Sequence, residues 1–367
     1  MIEDRKELIE MYPKRAKDIL AVNGRDFVKN IGNETIKNVI LDVLCGVNIR
    51  GSTEAITRKR IAIANGGLLL MFLEGCKKDP LFIEKLPKFA AQKLKEGKLK
   101  KEEGWILNWL LGLTDKAVQN ILRDDSSKIT QYAVEFENTV GEVAREYEQE
   151  FGALRGDISI NGESNSINWK DMMLVMSAIG AQTLTIRGSE KSTYGKLFEK
   201  LILGSLLSIL GFEFVDKDTN KSSDKVFWLS ERADKRESDA TLLYELGKGI
   251  RFDIGFIGRG NPEISLDKVS RFEKKMDYAK RTHIMATIII VDRIGERSRI
   301  VRLAEEIDGT IVQMSMSYWP RTVATRLKDI LGYENEILKV KDEDMRTYLS
   351  KKMEKVPVAD FLKGKEL

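Results

Sequence analysis

The sequence predicts an α/β protein, in which a long helical N-terminal region precedes a domain built on a mixed central sheet. Apolar residues recur at three- and four-residue intervals up to about Ala181, the mark of amphipathic helices. After Arg187, short runs rich in β-branched and aromatic residues alternate with helical segments. One of these runs, MATIIIV (Met285–Val291), is apolar at nearly every position, as expected for a central strand covered on both faces. The boundaries that follow are 1–186 for the helical domain, 187–335 for the α/β domain and 336–367 for a C-terminal helix and tail.

The helical patterns are DFVKNIGNETIKNVILDVL, TRKRIAIANGGLLLMFLEG, LFIEKLPKFAAQKLKEG, GWILNWLLGLTDKAVQNILRD and SKITQYAVEFENTVGEVAREYEQEF. Gly152 to Asn168, with its Gly-Asp and Asn-Gly turns, reads as a loop, and WKDMMLVMSAIGAQTL as a further helix. A separate long helix is expected from Tyr194 to Leu210. Strands are expected at Phe212–Val215, Val226–Leu229, Thr241–Leu246, Ile250–Ile257, Met285–Val291 and Thr310–Met316. DEDMRTYLSKKMEKVPVADFL reads as a helix followed by a frayed tail.

Composition narrows the chemistry. The 367 residues are 42% hydrophobic and 32% charged, typical of a globular chain, and no apolar run reaches the roughly 18 residues of a membrane span. The opening MIEDRKELIEMY has no signal-peptide pattern. Cys45 and Cys76 are the only cysteines, too few for a disulfide framework, which points to a reducing cytoplasm. His283 is the only histidine, which disfavours a His-Cys zinc cluster, a site with two histidine ligands or a Ser-His-Asp triad, and carboxylates and lysines are expected to carry any reaction. A net charge of +4 is compatible with a polyanionic partner without demanding one. The absence of a GxxxxGKS/T loop argues against a nucleotide cofactor.

The informative segment runs from Arg236 to Lys275. Two strand-like runs flank Leu246-Gly247-Lys248-Gly249, a tight hairpin, with Asp239 at the mouth of the first strand and Asp253 within the second. Phe252, Ile254 and Phe256 point one way while Asp253 and Gly255 point the other, so folding the hairpin can bring the two aspartates together. Carboxylates in that arrangement suit a hard divalent ion such as Mg2+, with Mn2+ as a substitute, and phosphodiester hydrolysis is the natural reaction. The plain alternative is a polar hairpin whose aspartates cap turns and face solvent. Glu199 lies on an otherwise apolar helix and needs a partner, either a metal or a basic side chain. Beyond the hairpin come Arg259 and Glu263, then Asp267 as an N-cap, then a helix bearing Lys268, Arg271, Lys274 and Lys275. A lysine at the start of that helix could orient the attacking water or offset transition-state charge.

This order of elements resembles the PD-(D/E)XK nuclease superfamily, and its texture resembles type II restriction endonucleases, over roughly Lys191 to Met316. The resemblance implies a restriction-endonuclease-like α/β/α domain, with Asp239, preceded by Ser238 rather than proline, as first metal ligand and Asp253 as the second acid, fourteen positions later. Gly255 stands where the pattern has lysine, which makes Lys268 the candidate for a migrated cation. In a second alignment Asp253 and Glu263 are the ligands, with Ser265 at the lysine position; Asp253 is common to both. The implied metal set is Asp239, Asp253, Glu263 and Glu199, with Lys268, Arg271, Lys274 and Arg259 as DNA contacts.

The resemblance also implies sequence-specific cleavage of double-stranded DNA by a homodimer, because a two-fold protein matches a palindromic site. Residues 1–186 would then serve recognition or dimerisation. Two other functions fit the same residues: a structure-selective repair or recombination nuclease, and a non-catalytic DNA-binding protein on a decayed nuclease scaffold. Further basic tracts, Arg58-Lys59-Arg60, Lys93 to Lys101 and Arg293 to Arg302, could grip phosphates. Trp105 and Trp109, four apart on one helical face, are expected in the core rather than on a base-stacking platform.

Overall fold

A computed structural model describes residues 5–21, 24–97, 99–122, 127–160, 162–215, 224–230, 238–256, 284–292 and 309–362. The chain forms two compact units that alternate in sequence: Met1–Asn30 with Thr57–Glu190, and Ile31–Ile56 with Lys191–Leu367.

The first unit holds α1 (Arg5–Met11), α2 (Lys14–Ala21), α3 (Gly24–Ile31), most of α5 (Ile49–Lys78), α6 (Phe82–Glu96), α7 (Lys101–Leu110), α8 (Asp115–Leu122), α9 (Lys128–Phe151) and the first half of α10 (Trp169–Ile209). In α9 the buried residues Ile129, Ala133, Val140 and Ala144 make one stripe at multiples of the helical turn, and α6 packs along this helix. Tyr12 is fully buried and donates its hydroxyl to the Ala64 carbonyl at 3.3 Å, while Gln182 Nε2 donates to the Tyr12 oxygen at 3.1 Å. Gly67 lies under this tyrosine; a methyl group there would fall 2.6 Å from the Ala16 Cβ. Trp109 is fully buried and Trp105 nearly so, and their indole nitrogens donate to Thr185 and Asp115 at 3.0 and 2.7 Å.

Three sequence expectations for this region are corrected. Gly152 to Asn168 contains an antiparallel ribbon, β1 (Gly156–Ile160) and β2 (Glu163–Ile167), rather than an irregular loop. Short alternation around a turn Gly162 at φ 83° is enough to pair two strands that composition alone marks as loop. The helices expected before and after Arg187 are one continuous helix, α10: no proline interrupts 169–209, and the Ser189 hydroxyl, bonded back to the Ile186 carbonyl at 2.8 Å, does not break it. Arg60 cannot grip phosphate: it has no exposure, its Nε donates to the Ile19 carbonyl at 3.3 Å, and its guanidinium lies 5.9 Å from the Phe27 ring centroid.

Among the described residues the second unit is built on a six-stranded sheet in sequential order: β3 (Glu213–Phe214), β4 (Val226–Leu229), β5 (Ala240–Glu245), β6 (Lys248–Gly255), β7 (Ile284–Val291) and β8 (Gly309–Gln313). β4, β5 and β6 form an antiparallel meander, and β6, β7 and β8 run parallel, which makes the sheet mixed. Ile288, Ile289, Ile290 and Val291 of β7 are all at most 2% exposed, the signature of a strand covered on both faces.

Around the sheet lie α4 (Asn33–Leu44), the start of α5, the second half of α10, α11 (Trp319–Leu331) and α12 (Asp342–Glu354). Trp319 is fully buried and donates its indole N–H to the Val43 carbonyl at 2.8 Å, tying α11 to α4. The chain end is not frayed through Leu362. Phe361 is 2% exposed, its ring lies 5.3 and 6.3 Å from those of Phe214 and Phe227, and a methyl on Gly204 of α10 would come within 2.6 Å of it. Hydrophobic burial of Val358, Phe361 and Leu362 orders a tail that its sequence position suggested was loose.

Candidate active site

The hairpin β5–β6 turns at Leu246-Gly247, where Gly247 takes φ 82°, a value costly for any residue with a Cβ. Glu245 and Lys248 face each other at the turn and form an ion pair. Past the turn the register shifts: Leu243 pairs with Gly249, leaving Tyr244 with no cross-strand counterpart. The shift decides what meets at the open end. Carried on from the Glu245–Lys248 pair without the extra residue, Asp239 would face Ile254; after the bulge, Ala240 pairs with Phe252 and the preceding residue, Asp239, comes opposite Asp253.

Asp253 is 6% exposed, set between β5 and β7 with Ile289 as its neighbour on β7. Its flanking residues Phe252 and Ile254 have no exposure and point into the opposite, apolar face. Asp239 is half-buried, and its Oδ2 accepts the backbone N–H of Ile254 at 2.8 Å. The main chain of Asp239 is held from the other side, where Ser230, just after β4, donates its N–H to the Asp239 carbonyl at 3.1 Å. The Ser230 hydroxyl donates to the carbonyl of Ser238, which is 3% exposed and whose own hydroxyl lies 3.3 Å from that of Thr241.

Thus the end of β4, the start of β5 and the end of β6 converge on two aspartates. The carboxyl end of β7 lies at the same edge, since Val291 pairs with Gly255. Asp292 follows there, an acid that the motif pattern does not pick out; its Oδ2 accepts from Asn48 Nδ2 at 3.1 Å. It lies three residues beyond the partner of Asp253, about 10 Å along the strand direction at roughly 3.3 Å per residue.

Of the remaining sequence candidates, Glu199 is half-buried on α10 amid Leu197, Phe198, Leu201 and Ile202, all at most 2% exposed. Glu263, Lys268, Arg259, Arg271 and Lys274 lie outside the described residues, as does the tract Arg293 to Arg302. Among the described residues no three acidic, histidine or cysteine side chains gather as a metal cluster. Two carboxylates nonetheless fit magnesium, which takes oxygen donors, keeps several waters and draws the rest of its shell from substrate phosphate. The same pair, with no nitrogen or sulfur donor, fits zinc poorly.

A cleft of about 560 Å3 in the first unit, lined by Leu8, Phe82 and Phe89, carries lysines already paired with acids: Lys88 with Glu137 at 2.8 Å and Lys170 with Glu84 at 2.5 Å. Cys45 and Cys76 are free thiols, and burial pushes both up from the ordinary thiol range. Among the described residues no helix is long and apolar enough to cross a membrane.

Comparison with known proteins places this geometry in context. The family model described as CfrBI restriction endonuclease matches residues 33–299. The type II restriction enzyme CfrBI of Citrobacter freundii is 39% identical over 355 residues, which cover 96% of this chain and 98% of that enzyme. No solved structure matches. With the match spanning both units and including the aspartate hairpin, the chain belongs to the CfrBI restriction endonuclease family.

Proposed function

We propose that the protein is a type II restriction endonuclease that hydrolyses double-stranded DNA at a specific sequence with magnesium, using Asp239 and Asp253 as metal ligands in a PD-(D/E)XK-like site. The observation that carries this reading is the β5–β6 register, which ends at Ala240 opposite Phe252 and, continued by one residue, brings Asp239 opposite Asp253, with the Asp239 carboxylate accepting the backbone N–H of Ile254, the residue after Asp253. Asp253 presents a carboxylate fixed by a strand hydrogen-bonded on both sides, and Asp239 one whose orientation is set by Ile254 N–H; such preorganisation avoids reorganisation during the reaction. When bound, magnesium supplies an activated water and a counter-charge for the scissile phosphate. Glu263 and Glu199 are proposed as further ligands, and Lys268 as the cation that orients the water or offsets charge in place of the Gly255 position. Arg259, Arg271 and Lys274 are proposed phosphate contacts, which set register on the duplex rather than sequence choice. A homodimer acting on a two-fold site, manganese as a substitute ion and a reducing cytoplasmic setting complete the proposal.

The test is a digest of a known genome with magnesium present. Discrete fragments with shared ends are expected, and no cleavage with any divalent ion would overturn the proposal. Asp253→Ala should lower cleavage at least about 1,000-fold while duplex binding in calcium stays near wild type, since the buried carboxylate acts on the ion and not on DNA affinity.

A further inference from the structure

We infer that Ser230 is a positioning residue for the metal site, holding Asp239 in place through two hydrogen bonds to consecutive peptide groups. The inference rests on the proposal that Asp239 and Asp253 bind the ion. Ser230 ends the β4 run and stands beside the entry to β5, since Leu229 pairs with Ala240. Its N–H reaches the carbonyl of Asp239 at 3.1 Å, and its hydroxyl reaches the carbonyl of Ser238, the residue before it. The first is an ordinary continuation of the strand ladder. The second is a side-chain bond that no backbone pairing requires, and it fixes the plane of the peptide joining Ser238 to Asp239.

Asp239 sits just outside β5, where the ladder no longer constrains both of its flanking peptides. Without the hydroxyl, the 238–239 peptide could tilt and swing the carboxylate off Ile254 N–H and away from Asp253. Ser238 reinforces the clamp from below: it is 3% exposed and its own hydroxyl is engaged with Thr241 Oγ1, so its carbonyl has a fixed platform. Side chains that orient a ligand in this way commonly change metal affinity by about 10- to 100-fold when removed.

The test is calorimetric titration of Mn2+ alone into the full chain, without DNA, for wild type and for Ser230→Ala, Ser230→Thr and Asp253→Asn, with a thermal melt of each. The expected result is loss of binding in Asp253→Asn, affinity about tenfold weaker in Ser230→Ala at an unchanged melting temperature, and wild-type affinity in Ser230→Thr, which keeps the hydroxyl. Loss in Asp253→Asn with wild-type affinity in Ser230→Ala overturns the role of Ser230 and leaves the metal site standing. Undiminished binding in Asp253→Asn overturns the metal site, and the clamp with it. If Ser230→Ala melts early, Ser230→Thr decides: affinity as weak as the alanine variant refutes the hydroxyl's role, and wild-type affinity supports it.

Discussion

Removing the Phe361 side chain should cost more than any position this close to a chain end would ordinarily cost. The ring is 2% exposed, lies 5.3 and 6.3 Å from the rings of Phe214 and Phe227, and is packed so closely on Gly204 of α10 that a Cβ there would come within 2.6 Å of it. Truncating a buried phenylalanine to alanine costs about 3–5 kcal/mol, the upper values applying where neighbours cannot relax into the space. Gly204 has no side chain to move inward, so Phe361→Ala should fall near the top of that range. Against a total stability of about 5–15 kcal/mol this is a large fraction, and at roughly 1–2 °C per kcal/mol for a chain of 367 residues it lowers the melting temperature by about 5 °C or more. Differential scanning calorimetry of the full chain measures it directly. Phe361→Leu, which refills most of the volume, should recover more than half of the loss. A Phe361→Ala protein that melts within about 2 °C of wild type would refute this close packing and restore the picture of a frayed end.

At the hairpin, Gly247→Ala should cost about 1–2 kcal/mol by urea midpoint because φ is 82°, whereas Leu246→Ala, at a residue 95% exposed, should be neutral; equal effects would argue against the turn. Asp171 caps the start of α10, accepting from Asn168 N at 3.3 Å, and burial raises its pKa above the ordinary carboxylate value. The folded state therefore keeps this proton to higher pH than the unfolded chain, a contribution present below the unfolded pKa and lost as pH rises through the folded one. Asp171→Asn should accordingly raise the melting temperature at pH 7 and leave it unchanged near pH 3, and a variant less stable than wild type at pH 7 would contradict the sign.

Much of the second unit was legible because its strands announce themselves. Val226–Leu229 is a strand in both sequence and structure, and the other five expected runs differ from the observed strands only at their ends, with Ile257 of one run lying outside the described residues. Gly247 between two such runs was sufficient to mark the hairpin. The residues that hold the site together were harder to see, since each acts through partners distant in sequence. Ser230 carries no charge and belongs to no motif, and only its bond to Ser238 distinguishes it. Asp292 is one aspartate among many until Asn48 is found beside it, more than two hundred positions earlier. Trp319 reads as an ordinary core residue, yet its bond to Val43 joins residues 31–56 to the sheet unit, a link that local patterning cannot express. The continuity of α10 escaped for the opposite reason: its polar middle resembles a boundary, but polar residues break a helix only when they offer the backbone a better partner.

The bulge at Tyr244 makes the candidate chemistry a matter of arithmetic as much as of residue type. An insertion or deletion of a single residue between Leu243 and Gly249 would leave every acid in the chain intact and still send Asp239 to the wrong neighbour. Relatives that keep both aspartates but differ by one in the length of this hairpin would therefore be poor guides to activity, while relatives that vary freely at position 244 and keep the count would be good ones.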